Sequence, residues 1–223
     1  MAATQGAPTL ILVPTELEFA RLADQGGFPE GTGLVRTCGF GPVAAAARTS
    51  ALLARLSPAR VLLIGIAGSY DTRKLPVGTA AQFAESAIEG IGVGEGGRLL
   101  APSALGFPQW PGPTRAGAIH ERLELAPPAA PRQDARLLLT TCAASDSPAQ
   151  AAQRRARFPD AAAEDMEGFG VALACAMERV PLTIVRGISN EVGDREPSRW
   201  RIPSALSAAR ELALALLAKR TGW

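Results

Sequence analysis

Short apolar runs recur along the chain, and most of them are followed by a longer stretch with a helical pattern. The runs are rich in leucine and β-branched residues, which predicts buried strands. The predicted strands are 9–14, 33–41, 59–69, 135–143 and 181–189. The predicted helices are 15–25, 42–56, 147–157, 164–180 and 202–220. Strands alternating with helices predict an α/β fold, a three-layer α/β/α sandwich around a mixed, mostly parallel, twisted sheet.

Two helix starts carry local signals. Thr15 is a suitable N-cap for the first helix, and Pro42 occupies the first turn of the second. The stretch 75–86 predicts a further strand, antiparallel because the connection before it is short. Across 88–132 the pattern degrades into glycine, proline and scattered apolar residues. We find neither a repeat nor a linker, so 1–223 is expected to form a single domain.

Composition and charge exclude several classes of function. The 223 residues are 47% hydrophobic and 20% charged, which is ordinary for a globular protein. A net charge of +2, from 23 basic and 21 acidic residues, gives no electrostatic attraction for nucleic acid or for an anionic membrane. The sequence has neither a signal-peptide pattern nor an apolar run long enough to span a bilayer, so we expect a cytoplasmic protein.

Metal and cofactor sites are not expected. Cys38, Cys142 and Cys175 stand far apart and His120 is the single histidine, so clustered zinc ligands are missing and all four residues are assigned structural roles. The glycine-rich run 90–97 resembles a phosphate loop, but a dinucleotide fingerprint opens a helix and this run leads into a proline-rich stretch. We interpret it as a loop.

Ligands of open α/β sheets bind beyond the carboxyl ends of the strands. Four sequences lie at such positions: PTELE at 14–18, GIAGS at 65–69, MEGFG at 166–170 and RGISN at 186–190. Each places polar or flexible residues directly behind an apolar strand or at a helix entry. Their joint placement at one edge of the predicted sheet indicates a binding site.

Taken singly, these residues also suit plain structural roles. Glu16 and Glu18 are typical of a solvated first helical turn, and Gly68 is typical of a tight turn, although glycine also lets backbone amides approach a ligand. Arg186 is less ordinary, because a guanidinium inside an apolar strand needs a buried partner. Glu18 and Glu167 are the acids that we expect to supply one.

The motifs IAGS, DMEGFGVALAC, VPLTIVRGISN and VPTELEF together resemble the purine nucleoside phosphorylase and nucleosidase superfamily, and within it most closely the futalosine hydrolases. The likeness covers residues 9–218 and is weakest across 88–132. It implies hydrolysis of a purine N-glycosidic bond without cofactor. It also implies a homodimer or larger homo-oligomer whose small-molecule partner is a purine nucleoside.

The resemblance implies roles for individual residues. Glu18 would activate the attacking water, and Arg186 would help to order the water site. Glu167 would bind the ribosyl hydroxyls, with Met166 packed near the sugar. Asn190 would contact N7 and the 6-substituent of the purine, where adenine-cleaving relatives have Asp. The other substrate-binding positions are Ile66, Ala67, Gly68 and Ser189.

Asn190 is the residue from which we predict the base. An amide can donate to O6 of a 6-oxopurine and accept from N7–H. An Asp instead accepts from the amine of adenine and can carry the N7 proton itself. The amide therefore favours hypoxanthine or guanine as the leaving group.

Alternatives stay open at this point. A phosphorylase would need a cationic phosphate pocket, commonly built with an N-terminal Gly-Asp-Pro-Arg element that is missing here, although Arg36 or Arg48 could contribute. The other possible functions are those of a methylthioadenosine-type nucleosidase and of a non-catalytic nucleoside-binding protein. Three further groups suit either the substrate or a plain surface role. They are the arginines Arg195, Arg199 and Arg201, the neighbouring Trp200, and the pair Phe107 and Trp110.

Overall fold

A nine-stranded mixed sheet organises the computed structural model, which describes residues 7–112, 117–125 and 135–219. The strands are β1 (Thr9–Val13), β2 (Leu34–Thr37), β3 (Arg60–Ser69), β4 (Ala80–Gln82), β5 (Glu85–Glu89), β6 (Arg122–Glu124), β7 (Leu137–Thr141), β8 (Ala161–Asp165) and β9 (Leu182–Glu191). The helices are α1 (Glu16–Asp24), α2 (Pro42–Leu56), α3 (Pro102–Leu105), α4 (Pro148–Arg157), α5 (Gly168–Met177) and α6 (Ile202–Ala218).

The central strand is β3. β1 and β9 run parallel to it on its two sides, β2 extends the sheet beyond β1, and β4 pairs with β9 in antiparallel. At Gly68 and Ser69, its last two residues, β3 also pairs with β8 in antiparallel. From β8 the sheet continues through the parallel strands β7 and β5 to β6. The predicted mixed, mostly parallel sheet is confirmed.

Successive residues of the central strands face opposite helical layers. Leu12 and Leu63 belong to the core cluster that includes residues of α2 and α5. Ile11 and Leu62, their neighbours in sequence, pack with residues of α1 and α6. All four side chains are fully buried, and each such leucine or isoleucine contributes about 1.5–3 kcal/mol through burial. Helices on both faces confirm the α/β/α sandwich.

Several local predictions are confirmed as well. Thr15 is the N-cap of α1, and Pro42 is the first residue of α2. Most of the run 90–97 is a loop; it folds back through an isolated bridge between Val93 and Leu100, and its last two residues begin the short 3₁₀ turn Gly96–Arg98. Within the poorly patterned stretch 88–132, residues 113–116 and 126–132 lie outside the described residues, as does residue 220 of the last predicted helix. No helix in the described part of the chain is both long enough and apolar enough to cross a membrane.

The single strand predicted over 75–86 is wrong. This stretch contains a turn and then two short strands, β4 and the start of β5, with Phe83 and Ala84 between them. Phe83 donates its backbone N–H to Ile184 of β9, whereas Ala84 donates to Arg136 beside β7. The chain therefore passes from one part of the sheet to another at these two residues, and β4 is antiparallel to β9 and does not pair with β3.

The predicted helix over 164–180 begins too early. Residues 161–165, with the sequence AAAED, form strand β8, and α5 starts only at Gly168. Alanine and glutamate are good helix formers, so the pattern hides this strand. Backbone pairing with β7 on one side and with the end of β3 on the other overrides that preference. This correction matters for function because β8 places two buried acids, Glu164 and Asp165, at the site.

Candidate active site

A cavity of about 320 Å³ lies at the carboxyl ends of β3, β8 and β9, beside the first turn of α1. Its lining includes eight of the nine predicted site residues: Glu18, Ile66, Ala67, Gly68, Met166, Glu167, Ser189 and Asn190. The ninth, Arg186, is fully buried and is not among the lining residues. The structure therefore brings the four predicted sequences together at one edge of the sheet.

Glu18 is fixed by the way α1 begins. The sequence Thr-x-x-Glu forms a capping box, in which Thr15 accepts from the backbone N–H of Glu18 and Glu18 accepts from that of Thr15. The Thr15 hydroxyl also donates to Oε2 of Glu18 at 2.6 Å. The other oxygen, Oε1, accepts from the backbone N–H of Ile66 at 2.9 Å. A carboxylate with both oxygens held in this way has a defined position at the cavity wall.

Gly65 allows Glu18 and Arg186 to approach the sheet closely. A Cβ atom on this residue would lie 2.1 Å from Nη1 of Arg186 and 2.7 Å from Oε1 of Glu18. No side chain can be accommodated at such distances. The glycine is therefore needed for close approach of the two charged side chains, a role that differs from both the tight turn and the ligand contact considered for GIAGS from the sequence.

Arg186 is held by two acids that enter from β8 and the turn after it. Its Nη2 atom lies 2.5 Å from Oδ2 of Asp165 and 3.4 Å from Oε2 of Glu167. Asp165 also accepts from the Thr140 hydroxyl at 2.6 Å and from the backbone N–H of Gly168 at 2.8 Å. The remaining guanidinium nitrogens, Nε and Nη1, have no hydrogen-bond partner among the described residues.

The buried partner expected for Arg186 was thus only partly identified from the sequence. Glu167 contributes the longer contact, and within the described residues Glu18 makes no ion pair with Arg186. Asp165 makes the shorter contact, and sequence reasoning missed it because its segment was assigned to a helix. An acid pair inside an alanine run, AAAED, is the signal that could have indicated a buried polar strand end.

Glu167 lies at the start of two helices. It is the N-cap residue of α5, and its Oε1 atom accepts from the backbone N–H of Gly41, the N-cap of α2, at 3.1 Å. The positive end of the α2 dipole therefore faces this carboxylate. Burial nevertheless raises the pKa of Glu167 to about 7, against the opposing effect of the Arg186 charge. The adjacent Met166 also lines the cavity.

A family model described as the phosphorylase superfamily matches residues 25–219. The chain belongs to the phosphorylase superfamily. The futalosine hydrolase of Thermus thermophilus is 34% identical over 96% of each chain. The futalosine hydrolase of Streptomyces coelicolor is 48% identical, but that match covers only 32% of this chain and 30% of the relative. A methylthioadenosine/S-adenosylhomocysteine nucleosidase from Colwellia psychrerythraea, solved with adenine, superposes with a TM-score of 0.74 at 22% identity, over 98% of this chain and 97% of that one.

In this member of the superfamily, Asn190 lies over Gly68. A Cβ atom on Gly68 would be 3.4 Å from Nδ2 of Asn190. The Ser189 hydroxyl donates to Oδ1 of Asn190 at 2.7 Å, and Nδ2 donates to the carbonyl of Glu191 at 2.8 Å. Because an amide has two N–H donors and two lone pairs on its oxygen, Asn190 keeps one donor and one acceptor for a ligand.

A second buried acid, Glu164, lines the cavity and was not among the predicted site residues. Its Oε2 atom accepts from the Tyr70 hydroxyl at 2.6 Å and from the Ser145 hydroxyl at 2.8 Å, and it pairs with Nη1 of Arg154 at 3.3 Å. Its Oε1 atom accepts from the backbone N–H of Ser145 at 2.7 Å. Glu164 and Arg154 thus form a polar cluster separate from that of Arg186.

The arginines after β9 divide into two groups. Arg195 and Trp200 line the cavity, and the Arg195 guanidinium lies 4.8 Å from the centre of the indole. Arg199 instead pairs with Asp194 at 2.6 Å and, with Arg201, lines a different surface pocket.

Other candidates lie away from the cavity. Phe107 is 74% exposed, and Trp110 pairs with Ile119 in an isolated bridge, and neither is among the cavity residues. The same is true of Arg36 and Arg48, which are both exposed. Burial raises the pKa of Cys38 to about 12, so this thiol stays protonated. No group of three or more His, Cys, Asp or Glu residues in the described ranges is arranged to hold a metal ion.

Proposed function

We propose that this chain hydrolyses the N-glycosidic bond of a 6-oxopurine nucleoside, and that its substrate is futalosine, which yields hypoxanthine and dehypoxanthine futalosine. The observation that carries the proposal is the fixed carboxylate of Glu18 at the wall of a cavity that also holds Glu167 and Asn190. The full-length similarity to the Thermus thermophilus futalosine hydrolase supports the choice of substrate.

The first group of the mechanism is the general base. Cleavage of a purine riboside passes through an oxocarbenium-like transition state, so positive charge develops on the sugar while the base departs with negative charge. Glu18 takes a proton from the attacking water as the water oxygen bonds to C1′, and its negative charge also stabilises the sugar cation. General base catalysis of this kind contributes a factor of about 10²–10⁴ in rate.

The other residues position the two halves of the substrate. Ionised Glu167 is an acceptor-only group, so it can take hydrogen bonds from both hydroxyls of the ribose diol. The base leaves with the electron pair of the C1′–N9 bond and takes a proton at N7 from solvent, because an amide has none to give, while the proton on Glu18 returns to solvent. Asn190 donates to O6 and accepts from the resulting N7–H. Arg186 anchors Asp165 and Glu167, and thereby the strand end that presents them.

The side chains of this site suit water as the nucleophile better than they suit phosphate. Phosphorolysis needs cationic groups that reach a phosphate beside the sugar. Arg36 and Arg48 are exposed and are not among the cavity residues, and Arg186 is already paired with two acids. Arg195 does line the cavity, but its guanidinium lies against the Trp200 ring. A purine nucleoside phosphorylase is therefore the second candidate within the superfamily.

Arg195 and Trp200 suit the far end of futalosine. The substrate carries a carboxyphenyl group on its sugar side. A guanidinium can pair with that carboxylate, and an indole can pack against the ring. Since Arg199 and Arg201 belong to a different pocket, only Arg195 among the three arginines is proposed to contact the tail.

We also propose that the protein acts in the cytoplasm, in menaquinone biosynthesis, as a homodimer or larger homo-oligomer. Exposed apolar residues near the cavity support an assembly: Leu17 is 55% exposed, Phe40 67% and Val43 81%. Leu17 and Phe40 also line the cavity. A second copy seated on this rim would remove apolar surface from water and narrow the cavity mouth. Sedimentation of the wild type and of Val43→Glu tests the assembly. We expect an oligomer for the wild type and its dissociation in the variant, and a wild type that sediments as a monomer would overturn the proposal.

A base-release assay tests the proposed reaction. The protein is incubated in phosphate-free buffer with futalosine, inosine, methylthioadenosine and the 6-amino analogue of futalosine, and the released bases are separated and quantified. We expect hypoxanthine from futalosine and less base from the 6-amino substrates. Strict dependence on phosphate, with a ribose-1-phosphate product, would establish the phosphorylase instead. No turnover of any substrate would leave a non-catalytic nucleoside-binding protein.

A further inference from the structure

Three residues between β7 and α4 form part of the cavity wall without support from backbone pairing. Ala143, Ala144 and Ser145 belong to neither a helix nor a strand, and the last two line the cavity. Within the described residues, none of the three takes part in a hydrogen bond between two backbone groups. A segment without such bonds depends on side chains to satisfy and position its backbone. We call it the 143–145 segment.

Arg154 contacts both ends of the 143–145 segment. Its Nη2 atom donates to the backbone carbonyl of Ala143 at 2.8 Å, and its Nη1 atom donates to the Ser145 hydroxyl at 2.8 Å. A guanidinium is planar and presents its donors in a rigid fork, so these two bonds fix the spacing of the groups that accept them. The Arg154 side chain is only 8% exposed, which leaves it little freedom to move away.

Glu164 completes a closed set of contacts around Ser145. Its Oε1 atom accepts from the backbone N–H of Ser145 at 2.7 Å, and its Oε2 atom accepts from the Ser145 hydroxyl at 2.8 Å. Nη1 of Arg154 also donates to Oε2 of Glu164 at 3.3 Å. Each of these three residues therefore contacts the other two. Because both Glu164 oxygens are bonded to Ser145, this acid holds the 143–145 segment together with Arg154.

Strand β5 anchors Arg154 from a second direction. Glu89, the last residue of β5, pairs with Nε of Arg154 at 3.3 Å and with Nη1 of Arg157 at 2.7 Å. Charges thus alternate from Arg157 through Glu89 and Arg154 to Glu164. A buried charge without a partner is strongly destabilising, and this alternation gives each buried member a partner of opposite sign. The guanidinium is consequently fixed relative to two strands of the sheet, β5 and β8.

Arg154 is separate from the groups proposed to cleave the bond. It is not among the residues that line the cavity, and its contacts in the described part of the chain involve neither Glu18 nor Glu167. It can influence a bound nucleoside only through the wall that it holds. Displacement of that wall would weaken binding more than it would slow the reaction of substrate already bound.

We propose that Arg154 is a positioning residue for nucleoside binding, which fixes the 143–145 segment as a wall of the cavity and takes no part in the chemistry. The inference rests on the proposed function and adds a residue that none of the proposed steps uses. An interaction that is lost equally from the bound substrate and from the transition state raises KM and leaves kcat unchanged. This separation distinguishes the positioning role from a contribution to bond cleavage.

Affinity and turnover are measured separately to test the inference. Calorimetry with futalosine uses a Glu18→Gln background so that the ligand is not consumed, and steady-state kinetics uses the protein with Glu18 intact. For Arg154→Met we expect Kd and KM to rise about tenfold, because two hydrogen bonds to the 143–145 segment are lost, while kcat stays within about threefold. Arg154→Lys keeps the charge between Glu89 and Glu164, so it should give a smaller rise.

Arg157→Met is the matched control. It removes a cation from the same helix and from the same acid, Glu89, but its side chain makes no hydrogen bond or ion pair with the 143–145 segment among the described residues. Its affinity for futalosine should match that of the wild type even where urea unfolding shows a loss of stability. An equal rise of Kd in Arg157→Met and Arg154→Met would overturn the inference, as would an unchanged Kd in Arg154→Met.

A double-mutant cycle decides the question if Arg154→Met does not fold. Ser145→Ala removes the hydroxyl that joins Arg154 to Glu164. Because the two residues act through one contact, Arg154→Lys should raise Kd by less in the Ser145→Ala protein than in the wild type. Additive effects would overturn the inference. Release of hypoxanthine by the wild type is scored on its own, so a failure of the proposed function would be recognised separately from a failure of the role assigned to Arg154.

Discussion

The side chain of Glu18 accepts a hydrogen bond of 2.9 Å from the backbone amide of Ile66. This contact joins the first turn of α1 to the carboxyl end of the central strand, 48 positions further along the chain. The carboxylate is therefore positioned by the sheet as well as by its own helix. A base held from two directions loses little freedom when the substrate binds, which favours catalysis.

Replacing Glu18 by Gln should reduce kcat by about 10²–10⁴-fold while nucleoside affinity changes little. Glutamine still serves at the third position of a capping box, so α1 should keep its start. The exposed neighbour Glu16, changed to Gln, is the matched control. Single-turnover rates and calorimetric affinities provide the measurements. A Glu18→Gln enzyme within tenfold of the wild-type rate would show that another group activates the water.

The activity should depend on pH through Glu167. Its raised pKa, about 7, means that the carboxylate becomes protonated as the pH falls below neutral. In the proposed role, a protonated Glu167 could no longer accept from both ribose hydroxyls, so kcat/KM should fall on the acid side with an apparent pKa near 7. Glu167→Gln should have a lower overall rate, and its kcat/KM should not show this decrease on the acid side. If the decrease persisted in the variant, a different group would be responsible for it.

The raised pKa of Glu167 should also make the folded protein more stable at low pH, which is opposite to its expected effect on activity. The folded protein binds the Glu167 proton more tightly than the unfolded chain does, whose pKa for this group is near 4.5. Its contribution to stability is therefore complete below about pH 4.5 and is lost as the pH rises through about 7. Urea unfolding across this range should show a steeper decline for the wild type than for Glu167→Gln. Parallel pH dependences in the two proteins would contradict the shift.

Asn190→Asp should lower activity on futalosine and raise it on the 6-amino analogue. An Asp accepts from the amine and can carry the N7 proton, whereas it repels the O6 acceptor. The ratio of the two kcat/KM values is the measurement, since it cancels general losses of stability. An unchanged ratio in Asn190→Asp would exclude this residue as a base contact.

Arg186→Met should destabilise the fold by about 3–5 kcal/mol, because Asp165 would be left buried with its partner removed. Arg199→Met is the control, since its pair with Asp194 is on the surface and the arginine side chain is 67% exposed. Breaking that surface pair should cost about 1 kcal/mol or less. Urea denaturation of both variants at one pH gives the comparison. Equal losses would mean that the buried pair contributes no more than the exposed one.

Arg195→Ala should raise KM for futalosine about tenfold and leave KM for inosine, which lacks the carboxyphenyl tail, unchanged. Arg199→Ala, four residues further along the chain and outside the cavity, should change neither constant. Steady-state kinetics with both substrates separates a tail contact from a general effect. Equal KM increases for the two substrates would assign Arg195 to the sugar or base instead.

The helical layers, and the edge of the sheet that holds the site, could be predicted from the sequence because both follow from the spacing of apolar residues. β1, β3 and β9 are apolar runs; Gly68 and Asn190 lie near the ends of β3 and β9, and Glu18 lies in the first turn of α1, which follows β1. The rule that ligands bind at strand ends was enough to place these residues together. Arg186 was recognisable as a buried cation from its position within one of these runs.

What escaped prediction depends on long-range pairing. β8 is built from alanines and acids, and it is a strand only because β7 and the end of β3 supply its hydrogen bonds. Without that strand, neither Asp165 as the partner of Arg186 nor Glu164 as a cavity residue could be deduced. β4 and β5 were merged for the same reason, since the switch at Phe83 and Ala84 is decided by which distant carbonyls accept their N–H groups.

Because Thr15 and Glu18 form a capping box, the proposed activity should depend on the order of the first turn of α1. The carboxylate proposed to activate water is also the one that closes the first turn of α1. If that turn frays, the base loses its position even though every strand remains paired. On heating, activity should therefore be lost at a lower temperature than the one at which the sheet unfolds. A bound nucleoside that protects activity would do so by holding the first turn of α1 in place.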